Sequence, residues 1–357
     1  MLLYECKLFA KGNIMKKIII QMVSLFSVII LSSCLNTQER IVVYTERHYE
    51  TDQVLYDKFT EETNIELDIV RASADELIAR LITEGKNTPA DVLIFKDAGR
   101  LYRALQESLL QPFEDDIMKN QVEEGLYGSN FHWYGLTMRA RVVMYAKNRI
   151  DPSQLSTYEN LADPIWQDQI AVRTSSNLYN ISWIASLLML NGEDQTQTFL
   201  DNFVGNFHRK PAGNDRDQAK LVASNVGANL AIMNTYYMGL LLNSDDESER
   251  AVGTSLGVFF PNQGENGTGA HINLSAGGIV THANNVDGAK RFLRFLTNND
   301  SQTHFTNVNY EYPVNPNTSW NPLLIEWGTF KRQFIDLNQL GLYHEKAFEI
   351  MIQSNWE

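Results

Sequence analysis

Between residues 41 and 107 the chain alternates short apolar runs with amphipathic stretches. Residues 41–44, 65–70 and 91–95 are rich in β-branched and aromatic side chains and read as strands. Residues 52–63, with Val54, Leu55 and Phe59 at helical spacing, read as a helix, as do 74–83 and 98–107. Strand and helix in this order form doubly wound α/β units, where ligands bind beyond the carboxyl ends of the strands. The loop leaving the first strand at that end carries His48 and Tyr49.

The texture then changes. Residues 137–146 read as one long strand, a bridge between two lobes, and 169–173 as another strand. A polar loop at 174–177 leads to Leu178 and Tyr179, and 181–190 reads as an apolar helix. Residues 230–233 form a short buried strand, after which Asn234 and Thr235 break the run and are placed to cap a helix over 237–242. Tyr236 and Tyr237 therefore fall at a strand-to-helix turn. Neighbours on a strand point to opposite faces and neighbours on a helix diverge by about 100°, so only a turn lets both hydroxyls converge. Residues 264–269 are Gly-rich but lack the strand–loop–helix setting of a phosphate site and read as a turn. A return strand at 275–280, an amphipathic helix at 289–297 and a closing helix at 345–353 complete the pattern, with no internal repeat.

The first 33 residues do not belong to this globule. Lys16 and Lys17 precede an apolar run at 18–31 that ends on Leu31-Ser32-Ser33-Cys34. A basic start, a short apolar stretch and small residues before a cleavage point are a secretory signal, with Met15 read as the real start. The Leu-Ser-Ser-Cys ending resembles the bacterial lipobox, which makes Cys34 the lipidated first residue of an exported protein on a tether at 34–40. Only Cys6 and Cys34 exist, so a mature chain has no disulfide framework and no thiolate metal site.

The 357 residues hold 30 Lys+Arg against 43 Asp+Glu, a net charge of −13. Cleavage before Cys34 would remove four Lys and one Glu and take it to −16. Nucleic acid is a poor partner for such a surface, whereas a cation is a natural one.

Convergent phenol oxygens are hard donors and select hard cations. A trivalent iron ion can hold phenols deprotonated far below their free pKa of about 10. An adjacent tyrosine pair taken alone is more simply one core ring and one surface ring. The wider chain changes the weight.

Arg47-His48-Tyr49, Pro89-Ala90-Asp91-Val92, residues 97–102, 134–141 and 155–162, Ser175 to Asn180 with Arg173, Asn234-Thr235-Tyr236-Tyr237 and residues 309–315 are spread along nearly the whole mature chain. On these stretches the chain resembles the tyrosine-rich, anion-independent group of iron(III) ABC-transporter substrate-binding proteins, the bacterial transferrin-like family. The resemblance implies a class II periplasmic-binding-protein fold of class α/β, two doubly wound lobes joined by crossover strands with the ligand cleft between them. The expected lobes are 41–139 with 275–312, and 140–274 with 313–357.

It further implies that His48 and Tyr49 from one lobe and Tyr179, Tyr236 and Tyr237 from the other hold Fe(3+) as cargo, with Fe(2+) left open. Four phenolates on a trivalent ion leave one excess negative charge, for which Arg141 is the first candidate and Arg47 and Arg173 the next. Implied partners are an ABC permease and, through the lipid on Cys34, a membrane; the chain is expected to be a monomer in the periplasm or cell envelope. A receptor of the same fold for a polyamine, thiamine or sugar is the alternative. A non-haem iron enzyme fits less well, because no two-histidine, one-carboxylate triad is evident.

Overall fold

Arg40, expected at the end of the tether, instead opens the first strand, its guanidinium reaching Glu66 and Asp68 on the second. The computed structural model describes residues 38–357; the signal, the lipidation candidate Cys34 and most of the tether lie outside the described residues. The first half runs β1 (Arg40–Thr45), α1 (Gln53–Thr63), β2 (Glu66–Arg71), α2 (Ala74–Glu84), β3 (Val92–Phe95), α3 (Ala98–Gln106), β4 (Leu110–Gln111) and α4 (Asp116–Gln121). The long β5 (Tyr134–Ala146) follows, then β6 (Ile170–Ala171), α5 (Leu178–Asn191), α6 (Glu193–Val204), α7 (Asp215–Ala223), β7 (Leu230–Asn234) and α8 (Tyr236–Leu242). Next come α9 (Glu247–Ser255), β8 (Leu256–Phe259), β9 (Ile272–Val280), α10 (Val286–Thr297) and α11 (Asn299–His304). The chain ends with β10 (Tyr312–Pro313), α12 (Pro322–Trp327) and α13 (His344–Gln353).

The sheet order is β2-β1-β3-β9-β5-β7-β6, with β4 added on β9 and β8 and β10 on β5. β1 is parallel to β2 and β3, while β9 runs antiparallel between β3 and β5. β5 is the shared member. Its residues Tyr134 to Ala140 pair with β9, and Arg141 to Tyr145 pair with β7. Every position of β5 is buried except the half-buried Tyr145. A strand covered on both faces is expected to be nearly all apolar, yet Thr137, Arg139 and Arg141 are also fully buried. The two-residue period of a strand puts these three on one face.

Local chemistry explains where the elements depart from the sequence expectation. Helix α5 begins at Leu178 rather than 181, because the Asn177 side chain caps it by accepting from the Asn180 N–H. Tyr179 is thereby drawn into the first helical turn. β6 is shorter than 169–173: the Arg173 carbonyl has left the ladder and accepts from Asn180 Nδ2 and Trp356 Nε1. Thr235 does not cap α8 with its side chain; its Oγ1 accepts from the Ala140 N–H and ties the turn to β5 instead.

A second contact fixes α8. Gly239 lies against Tyr310, and a Cβ added there would sit 2.2 Å from the Tyr310 Cγ. Ala gains up to about 1 kcal/mol over Gly in a helix, but overpacking costs about 1–3 kcal/mol. The obstructing atoms are the root of a ring held in the left-handed region, φ 56°, so the clash outweighs the propensity. Gly239→Ala should therefore lower Tm, by roughly 2–4 °C for each kcal/mol lost, which a thermal melt reads.

Candidate metal centre

One loop and two helix N-termini deliver the aromatic side chains. His48 and Tyr49 follow the carboxyl end of β1, Tyr179 sits in the first turn of α5, and Tyr236 and Tyr237 open α8 immediately after β7. All five line one cavity of about 380 Å³, together with Lys96, Arg173 and Arg216. Larger hollows of about 730 and 810 Å³ lie elsewhere, and none of the five lines them.

Four of the rings form a chain of contacts. Tyr236 and Tyr237 stack with centroids 4.2 Å apart, and Tyr49 meets Tyr236 edge-on at 6.3 Å. His48 stacks on Tyr49 at 5.9 Å. Tyr179 and Tyr236 are buried, Tyr49 and Tyr237 half-buried, and His48 exposed. His48 Nδ1 lies 3.1 Å from the Glu46 carbonyl oxygen, which assigns the proton to Nδ1 and leaves the Nε2 lone pair free for a ligand.

Burial pushes the Tyr49 phenol well above its ordinary pKa, and the negative charge of Glu311 adds to the shift. Burial does the same to Tyr236, reinforced by the neighbouring phenols. Tyr237 is pushed up to about 12, again chiefly by burial and then by Asp215. Without a cation these phenols stay protonated and neutral at neutral pH. Among the described residues no group of three or more His, Cys, Asp or Glu is arranged to hold a metal. A metal in this cavity would depend on phenol oxygens.

Behind the rings lies a buried charge network. Arg47 pairs with Asp52 at 2.9 Å and with Glu311 at 3.1 Å, and its guanidinium lies 4.7 Å from the Tyr49 ring centroid. Arg139 pairs with Glu311 at 3.2 Å and lies 5.5 Å from the Tyr179 centroid. It also donates to the Lys96 carbonyl. Asp215 is shared by Arg141 at 3.1 Å and Arg173 at 2.7 Å.

The arginine expectation needs revision on this geometry. Arg141 is engaged by Asp215, Asn234 and Asn180 rather than by a phenol ring, and Arg47 is matched by its carboxylates. The guanidinium over Tyr179 belongs to Arg139, a residue outside the arginines expected from the sequence. Its signal was available, since Arg139 and Arg141 alternate on one strand face. What survives is a charge count: two guanidiniums share Asp215, so the Arg141–Asp215–Arg173 group keeps one uncompensated positive charge. Arg173 is the member whose charge is felt by Tyr237.

Comparison with known proteins places this geometry in a wider setting. Residues 55–330 match the model of a family described as bacterial extracellular solute-binding protein. Iron uptake protein A1 of Synechocystis sp. is 43% identical over 320 residues, 90% of this chain and 88% of that protein. A solved structure of the Trichodesmium protein IdiA/FutA with iron and citrate ligands is 40% identical, with a TM-score of 0.84 over 89% of this chain and 100% of the other. The ferric binding protein of Campylobacter jejuni superposes with a TM-score of 0.82 at 33% identity, covering 89% of this chain and 100% of that one. The fold shared with these structures is the two-lobe α/β periplasmic-binding-protein fold expected from the sequence.

Proposed function

Because the chain belongs to the bacterial extracellular solute-binding protein family, we propose that it captures ferric iron between two lobes and hands it to the permease of an ABC importer. One observation carries the reading: the four phenols of Tyr49, Tyr179, Tyr236 and Tyr237 and the free nitrogen of His48 surround one small cavity. Phenolate oxygens and an imidazole make a five-donor sphere suited to a hard trivalent ion. Iron-named relatives at 43% and 40% identity support the choice of cargo.

Charge supports it as well. Four phenolates on Fe3+ carry one net negative charge, and the Arg141–Asp215–Arg173 group keeps one positive charge nearby. The loaded site is then close to neutral, which a buried site requires. Lys96, Arg173 and Arg216 on the wall also suit a carboxylate ligand, and the Trichodesmium structure is a complex with iron and citrate ligands. The protein works outside the cytoplasm, held at a membrane by lipid on Cys34, as a monomer that acts by binding alone.

The donors follow elements on both sides of β5 and meet here around one cavity, so loading and release require those sides to part and close again, as in hinge closure around a ligand. Tyr179, Tyr236 and Tyr237 bind first; His48 and Tyr49 complete the sphere. His48→Ala removes one exposed donor and should weaken ferric binding at least as much as the 10- to 100-fold that loss of an outer partner costs a metal site. It should not abolish binding. Competition against a chelator measures this, and small-angle scattering should show a smaller radius of gyration on loading. An unchanged radius, or a His48→Ala variant as defective as one lacking both Tyr236 and Tyr237 hydroxyls, contradicts the ordered clamp.

A further inference from the structure

One fully buried carboxylate stands behind two of the phenol rings without touching either. Glu311 Oε2 accepts from Arg47 Nη2 at 3.1 Å and its Oε1 from Arg139 Nη1 at 3.2 Å. Ser275 Oγ closes the cluster, accepting from both guanidiniums at 2.9 and 2.7 Å. These are the guanidiniums that lie on the Tyr49 and Tyr179 rings. The backbone goes out of its way to place this carboxylate. Glu311 follows a π-helical segment, Phe305–Asn309, and a left-handed Tyr310. Such π segments concentrate at functional sites. The same segment supports the second carboxylate of the cluster, since Asn309 Nδ2 donates to Asp52 Oδ1 at 3.1 Å.

We propose that Glu311 is a specificity-determining residue of the cavity: its fixed negative charge, set between the guanidiniums behind Tyr49 and Tyr179, maintains the preference for ferric over ferrous iron. The proposal rests on the ferric reading above and adds to it the residue that sets the oxidation state. Both oxidation states meet the same donors, so the difference between their affinities reads the surrounding charge. With Glu311 and Asp52 in place, Arg47 and Arg139 are matched one for one. Removing one carboxylate leaves a buried guanidinium uncompensated. The added positive potential disfavours the ion of higher charge more than the ion of lower charge.

The experiment is the midpoint potential of iron bound to the full protein, taken by spectroelectrochemistry with the electrode supplying one electron per Fe3+. Glu311→Gln should lower the ferric-to-ferrous affinity ratio about tenfold, the order expected for one charge across a partly screened interior. That ratio is a rise of about 59 mV for a one-electron couple. Glu311→Asp keeps the charge and should stay near the parent. A merely loosened site would lose both oxidation states and has no cause to move the potential upward. An unchanged or lowered potential in Glu311→Gln, or an equal rise in Glu311→Asp, overturns the proposal. Should Glu311→Gln hold no iron, Asp52→Asn removes the other carboxylate and reads the same quantity: a raised potential supports the role of cluster charge, an unchanged one overturns it. Failure of the ferric reading itself would show earlier and separately, as a parent protein that takes up no Fe3+.

Discussion

Tyr236→Phe with Tyr237→Phe should abolish ferric binding while the protein stays folded. The two rings stack at 4.2 Å at the head of α8, packed behind by Gly239 on Tyr310. Phe keeps those rings and that packing, so the melting temperature should remain within a few degrees of the parent. Only oxygen is lost. Two of the five donors disappear from one turn, and because both belong to the set that binds first, no closure can compensate. Among the described residues no carboxylate or histidine cluster stands ready to replace them. Chelator competition should find no tight binding in the double variant. Binding equal to the parent would place the site elsewhere.

The second large effect is on pH. In the metal-free protein Tyr237 is pushed up to about 12, and Tyr49 and Tyr236 well above their ordinary values, in each case first by burial. The donors therefore begin as neutral phenols and must lose protons to become ligands. The sign follows from mass action: a reaction that releases protons is opposed by acid, so affinity falls as pH falls. Because burial holds Tyr49, Tyr236 and Tyr237 above the ordinary phenol value, the dependence continues through neutral pH with no plateau there. Each proton released contributes a factor of about ten in affinity per pH unit at fixed free Fe3+. Calorimetry in buffers of different ionisation enthalpy counts these protons directly. About four are expected, and a count of zero rules out phenolate ligation.

Much of the framework was legible in the residues themselves. Alternation of apolar runs and amphipathic stretches marked β1 to β3 and α1 to α3, because each strand and helix there obeys its own period. The junction of strand and helix at the tyrosine pair was legible, but the helix starts one residue earlier than expected, so Tyr236 and Tyr237 stack inside its first turn and not in a turn before it. What escaped was set by contacts distant in sequence. Thr235 looked like a cap, but Ala140 on β5 claims its hydroxyl. Arg141 looked like the first charge partner; it contributes only through Asp215 on α7, which it shares with Arg173, and the guanidinium over Tyr179 is that of Arg139. Glu311 gave no local signal, since its partners Arg47 and Arg139 lie 264 and 172 residues away. Asn177 as the cap of α5 was the exception: its side-chain chemistry was local and available.

Titration of the purified protein with Fe3+ under visible light absorption tests the central claim most directly, because a phenolate bound to ferric iron absorbs by charge transfer and an imidazole–carboxylate site does not. A band that grows and saturates at one iron per chain, and is absent from the Tyr236→Phe, Tyr237→Phe variant, is the predicted result. Saturation at one iron per chain without a visible band, or the same band in the double variant, would contradict it.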